Sequence, residues 1–511
     1  MTGPGAARRP VVVVVGAGMA GLAAAWQLSQ DLGVHESGTA RVLVLEAGSR
    51  TGGKVHSTEF AGRRVDLAAD AFLARRPEAT GLCTELGLTD ALVAPGATGA
   101  SLWARGRLRM MPDGVNLGVP TRWWPLARSG ILGPGGAARA AVDLLRPHRA
   151  EPGATGDAAV GGVVTSRLGH EVTERLVDPL VGGIHAGGVD DLSAEATFPP
   201  LLAADRKSGS LMRRLRLPPP PAAPTGPPSP VFWSLDGTAA RLPAELAAAL
   251  VARGVAVHTG VAVEGLVRRT GDGASDHAWE LTLAGDTSSV PGVTGASGAT
   301  RSLGVDGIVL AVPAGQAAGL LADHAPVASA ILADIRHSSV TVITLSVPAT
   351  AIRGELAGTG FLVPRTSPVG GHTALITGCT YLSRKWPGLA RPGDELIRLS
   401  VGRFGDGRPD AMDDDELTDA AFGELARILG ITDRPAESLV TRWDSAFPQY
   451  TPGHLERTGR VERAVAELPG VAVAGSAYRG VGIPAVVGSG RNAARAVLAS
   501  ITVAPPTAPA R

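Results

Sequence analysis

The sequence predicts an α/β fold with a parallel sheet at its centre and more than one domain. The first observation behind this is the run of five β-branched apolar residues at 11–15, which leads directly into Gly16-Ala-Gly18-Met-Ala-Gly21 and an alanine-rich helical stretch. A strand that is apolar at every position belongs in a parallel sheet covered on both faces. The second is a repeat of the strand–glycine–helix order near the C-terminus. There Gly470-Val-Ala-Val-Ala-Gly475-Ser476 is followed by Tyr478-Arg-Gly480-Val-Gly482-Ile-Pro484 and a helical run at 488–499. The third is length: 511 residues exceed what one hydrophobic core usually serves.

Each element has its own justification. Gly16, Ala17, Gly18, Met19, Ala20 and Gly21 form a G-x-G-x-x-G turn between a strand and a helix. Such glycines allow a tight turn, close approach of a pyrophosphate to backbone N–H groups, and close helix–strand packing. The positive helix end favours the phosphates. Residues 41–45 read as the second strand, ending in Glu46, whose carboxylate is placed to accept from ribose hydroxyls. The unit is therefore expected to be a Rossmann-like dinucleotide site. The spacing from Gly16 to Glu46 is longer than usual, and a loop inserted at 31–40 explains it. The next run is Glu46-Ala47-Gly-Ser-Arg50-Thr-Gly52-Gly53-Lys54. Its glycine pair lets backbone approach a ligand, and Arg50 offers a charge-assisted partner for pyrophosphate.

Composition excludes several classes. The 48 basic and 47 acidic residues are interspersed, and no basic tract points to nucleic acid. Cys83 and Cys379 are too few for a disulfide framework and lack metal-ligand spacing, so they read as core residues in a reducing cytoplasm. No window of eighteen uncharged apolar residues predicts a membrane span, while peripheral membrane contact stays open. Lys54, Lys207 and Lys385 are the sole lysines, a bias that suits a GC-rich genome.

The chain is expected to leave the nucleotide domain and return to it. The expected parts are a first dinucleotide segment at 1–95, a helical substrate-access subdomain at 96–217 and a Pro-rich linker at 218–230. A second dinucleotide segment at 231–320, an α+β substrate domain at 321–440 and a C-terminal dinucleotide segment at 441–511 complete the chain. Helices are predicted at 79–87, 137–145, 171–181, 242–253 and 415–429, and strands at 255–258, 307–312, 339–347 and 397–403. Residues 271–304 read as a loose hairpin.

The run from Glu46 to Lys54 resembles the second fingerprint of the glutathione-reductase-like flavoproteins, in their amine oxidase branch. Three further blocks make the likeness more specific. They are Asp70-Ala-Phe-Leu-Ala-Arg75, the stretch from Arg167 through Asp178-Pro-Leu-Val-Gly-Gly-Ile-His185-Ala-Gly to Phe198, and Ala474-Gly-Ser-Ala-Tyr478-Arg-Gly-Val-Gly-Ile-Pro484. Over residues 10–500 they resemble the protoporphyrinogen/coproporphyrinogen oxidase family of haem biosynthesis, most like its Gram-positive and actinobacterial branch. The resemblance implies non-covalent FAD, held by the two fingerprints and by Ala69, Asp70, Ala71, Phe72, Val263, Gly475, Ser476, Val481, Gly482 and Ile483. It implies oxidation of coproporphyrinogen III to coproporphyrin III in the cytoplasm. Molecular oxygen would be the acceptor, hydrogen peroxide a product, and the next haem-pathway enzyme a partner.

Because the flavin carries such chemistry, no catalytic side chain is assigned. The tetrapyrrole's carboxylates call for arginines, and Arg75, Arg122 and Arg128 are the candidates. His185 stands where related sequences often carry tyrosine, and it is either a cavity group or a structural histidine. Protoporphyrinogen IX oxidation is the alternative within the family. A flavin amine oxidase is disfavoured by the absence of any lysine beyond Lys385; a polyene desaturase and a non-enzymatic escort protein are more distant.

Overall fold

The computed structural model describes residues 9–34, 40–145, 156–216, 230–269, 277–295 and 301–501. Most of the Pro-rich linker, the middle of the 31–40 loop and parts of the 271–304 hairpin lie outside these residues.

The parallel sheet has five strands, in the order Ala256–Thr259, Arg41–Glu46, Val11–Val15, Gly307–Leu310 and Val471–Val473. Its central strand is buried at every position because both faces are covered. Val12 and Val14 pack towards the helices Met19–Asp31, Arg241–Ala252 and Ile483–Ser500. Val11, Val13 and Val15 pack towards Trp279, Leu281 and Leu303 of a three-stranded antiparallel sheet. Each such side chain contributes about 1.5–3 kcal/mol relative to exposure. Gly490 brings the C-terminal helix against the first one, since a Cβ there would strike the Ala20 carbonyl oxygen.

The second large sheet has seven strands: Glu437–Pro448, His337–Pro348, Asp394–Val401, Ile376–Tyr381, Gly360–Leu362, Ser101–Ala104 and Arg107–Met110. Two parts of the expected domain division differ here. The hairpin 101–110 falls in the expected helical subdomain, and residues 441–448 in the expected C-terminal dinucleotide segment, yet both are strands of this sheet. Its edges therefore come from distant parts of the sequence, which local patterning does not reveal.

A helical layer within residues 123–145 and 156–215 packs around Leu126, Val164, Leu176 and Phe198. Within it, the predicted helix at 171–181 is instead a π-helix, Thr173–Gly182, with Pro179 inside. Proline has no N–H to give to the helical ladder, and such widened turns concentrate at functional sites.

Candidate functional site

The parallel sheet, the seven-stranded sheet and the π-helix enclose one cavity of about 860 Å³. At one end are the glycine-rich turns. Gly16 has φ +99°, and a Cβ there would come within 2.6 Å of the Ala311 carbonyl oxygen. Gly18 differs: a Cβ would meet nothing within 4 Å, so the space in front of it is open. Gly18 also caps helix Met19–Asp31 without any side-chain bond, leaving the first-turn N–H groups for a ligand. The Gly52 amide donates to Ala17 O at 2.8 Å, which locks the second fingerprint against the first.

Glu46 is held in register by two amides. It accepts from Ala17 N at 2.7 Å and from Gly48 N at 2.8 Å. Gly16, Gly18, Met19, Ala20, Glu46 and Ala47 line the cavity, as do Gly52, Gly53 and Lys54. Ala17 and Gly21 support the turn from behind, and Gly21 presses against the Gly16 carbonyl. Arg50 is exposed and donates to Gly53 O at 2.8 Å, closing its own loop. Lys54 donates to Ala446 O at 2.6 Å, and burial lowers its pKa.

The Asp70 block divides between wall and anchor. Ala68, Ala69 and Ala71 line the cavity, whereas Asp70 and Phe72 do not. Phe72 belongs to the hydrophobic core. Asp70 is buried and accepts from Lys385 Nζ at 2.9 Å, Trp386 Nε1 at 3.1 Å and Arg398 at 3.0 Å. Burial opposes its charge, but Arg398 and Lys385 outweigh it and hold the carboxyl well below its usual range. Arg398 also donates to Ala68 O at 3.0 Å. Asp70 therefore fixes the wall residues rather than facing a ligand.

The opposite wall is the C-terminal turn. Gly475, Ser476, Val481, Gly482 and Ile483 line it, together with Val263 from the antiparallel sheet. Tyr450, fully buried, donates to Ser476 O and accepts from Gly480 N at 2.9 Å. His454 stacks on Tyr450 with ring centroids 3.9 Å apart and reaches Tyr478 O at 3.1 Å.

His185 lies beside this stack, 5.7 Å from the Tyr450 ring, and is absent from the cavity wall. Its neighbours Gly182, Gly183, Ala186 and Gly187 line the wall instead. The cavity role considered for His185 is thus corrected to a buried bracing position. Burial, then the adjacent His454, pushes its pKa down to about 4.

The three arginines expected to meet carboxylates are also placed elsewhere. Arg75, Arg122 and Arg128 are exposed and line no part of the cavity; Arg128 lies over the Trp124 ring. The cavity arginines are Arg398 and Arg403, which sequence reasoning missed. Arg398 stands inside the strand Asp394–Val401, predicted at 397–403, and Arg403 just beyond its end, but nothing local to them distinguishes them from other arginines. Neither cysteine touches the cavity, and no metal-binding cluster occurs among the described residues. No described helix is long and apolar enough to cross a membrane.

Glycine-rich turns at two helix starts, an open face at Gly18 and a large apolar-walled cavity fit a flavin nucleotide. The family model for flavin containing amine oxidoreductase matches residues 19–498, and the chain belongs to that family. Within it the chain is 34% identical to the coproporphyrinogen III oxidase of Propionibacterium freudenreichii subsp. freudenreichii, covering 98% of this chain and 93% of the relative. The protein of that name from Bacillus subtilis is 30% identical, over 94% and 96%. A solved structure from Exiguobacterium sp., provisionally named a protoporphyrinogen oxidase, aligns with TM-score 0.79 and 29% identity, over 96% of this chain and 99% of the other.

Proposed function

We propose that this chain is a coproporphyrinogen III oxidase that binds FAD non-covalently and acts in haem biosynthesis in the cytoplasm, with molecular oxygen as acceptor. The observation that carries the reading is the continuity of the cavity. One space runs from the Gly18 turn past Gly475 and Ser476 to Arg403 and the apolar residues Val340, Val342 and Val363. The nucleotide end and the apolar compartment beyond it are therefore one enclosure.

Flavin, when bound, supplies hydride acceptance from a carbon bridging two pyrroles; three such two-electron steps convert a porphyrinogen to a porphyrin. The chain's own residues do the rest. First-turn amides at Gly18 hold the pyrophosphate. Glu46 accepts from ribose hydroxyls. The start of helix Ile483–Ser500 places a positive dipole end at the opposite side of the enclosure. Apolar walls exclude water, and position rather than side-chain acid–base chemistry supports the reaction. Cys83 and Cys379 are buried in two separate cores away from the cavity, which supports non-covalent flavin.

The absence of any lysine beyond Lys385 disfavours the amine oxidase alternative, yet Lys54 does reach the cavity. Its amine is committed to the Ala446 carbonyl, and the named relatives above favour the porphyrinogen reading. The test is to record the absorption spectrum and then add coproporphyrinogen III and protoporphyrinogen IX separately in air. A flavin spectrum, peroxide release and faster coproporphyrin fluorescence are expected. Faster protoporphyrin formation reverses the substrate choice, and flavin without either product rejects the reading.

A further inference from the structure

We propose that Arg403 is the carboxylate-recognition group of the substrate cavity, where one anionic side arm of the macrocycle docks. The inference rests on the porphyrinogen reading and adds the contact that selects an acid-bearing substrate.

Arg403 follows strand Asp394–Val401 after Gly402, which has φ +90°. That turn carries it to the cavity wall, where it is half-buried. The other cations on this wall are already engaged. Lys54 donates to Ala446 O, and Arg398 to Asp70 and the Ala68 carbonyl. Among the described residues, the Arg403 guanidinium has no hydrogen-bond or ion-pair partner.

The two acids whose charges reach it are taken as well. Asp178, on the π-helix, accepts from Val189 N at 3.2 Å and lies 3.8 Å from Arg365. Asp406 is gripped by the Arg408 fork at 2.7 and 2.8 Å. Burial and the nearby Arg365 charge both disfavour an unpaired cation at Arg403. A partly desolvated guanidinium with five unused donors is costly unless something accepts from it. Its planar fork matches a carboxylate in two places, which a lysine would not. Val340, Val342 and Val363 line the same enclosure, with Thr377, Ser400 and the already engaged Asp178 as polar members, which suits an apolar body carrying an acidic arm.

The test compares two probes on flavin-loaded protein: coproporphyrin III and its tetramethyl ester, in the same detergent. Binding is followed by porphyrin absorbance. Wild type should prefer the acid. Arg403→Gln should lose about ten- to hundredfold in affinity for the acid, as expected for a lost charged hydrogen bond, with ester binding unchanged. Arg403→Lys should fall between them. Equal flavin content and Tm establish that the variants are folded. Equal loss for acid and ester, or no loss for either, overturns the proposal. If Arg403→Gln is insoluble, Arg403→Lys decides: an acid-to-ester ratio equal to wild type overturns it. Wild type that oxidises no porphyrinogen would instead overturn the functional reading on which the proposal stands.

Discussion

Glycine at position 18 is needed for the space in front of it, not for backbone strain. Its φ is −69°, which any residue adopts, and a Cβ would meet nothing in the protein. Gly18→Val should therefore fold but fail to bind flavin, because the branched side chain fills the phosphate space. A colourless protein with unchanged circular dichroism is expected; a retained flavin spectrum rejects the assignment. Glu46→Ala removes the acceptor for Ala17 N and Gly48 N as well as the proposed ribose acceptor. Flavin affinity should fall by about 1–3 kcal/mol, measured by fluorescence titration of the apoprotein. Asp70 acts at one remove. Asp70→Asn leaves Lys385 and Arg398 facing a neutral amide, and breaking a buried pair costs about 3–5 kcal/mol. The loss should appear first in the denaturation midpoint, and an unchanged midpoint would refute the anchoring role.

The C-terminal turn depends on an element that is not adjacent to it in sequence. Tyr450 follows the long strand Glu437–Pro448 and bonds the turn at both Ser476 O and Gly480 N. Tyr450→Phe keeps the stack on His454 but leaves two half-buried backbone groups without their phenol partner. A cost of about 1–3 kcal/mol and faster flavin loss on dilution are expected; unchanged flavin retention would show that the turn is held without the phenol. The elements themselves were largely legible. Strand Val11–Val15 and both glycine turns stand in the sequence because ligand approach demands glycine, and burial on two faces demands an unbroken apolar run. The π-helix was not legible, since its residues keep a helix-like amphipathic pattern and widening depends on packing around Pro179. Carboxylate recognition was misplaced for a related reason. Arg75, Arg122 and Arg128 stand beside informative motifs, but the exposure of an arginine is decided by strands paired far along the chain. Arg403 reaches the cavity through the seven-stranded sheet, whose edge strands are Arg107–Met110 and Glu437–Pro448.

At the scale of the whole molecule, buried titratable groups support the cavity from two sides and respond oppositely to pH. Behind the C-terminal turn, His185 and His454 are both pushed down to about 4, chiefly by burial. An unfolded histidine titrates near 6.5, so the unfolded chain takes up protons that the native chain refuses. Their contribution is complete above about 6.5 and is lost as pH falls towards 4. Beside the opposite wall, Asp66 accepts from Ala239 N at 2.9 Å and Ala240 N at 3.1 Å. Burial, followed by the neighbouring Asp70 charge, raises its pKa to about 7 against the opposing pull of those amides. Its sign is reversed: the native state holds the proton more tightly, so its contribution is complete below about 4 and is lost as pH rises towards 7. Single variants separate the two limbs. His454→Gln should flatten the fall of Tm between pH 6.5 and 4 relative to wild type. Asp66→Asn, which removes the titrating group and keeps an oxygen acceptor for one of the two amides, lowers Tm at every pH but should flatten the decline between pH 4 and 7. Thermal melts of the three proteins across pH 4–8 read both effects at once. Three parallel curves would mean that neither wall titrates with folding. A His454→Gln curve that diverges from wild type only above pH 7 would place its proton outside the folded brace and sink the bracing account of the turn.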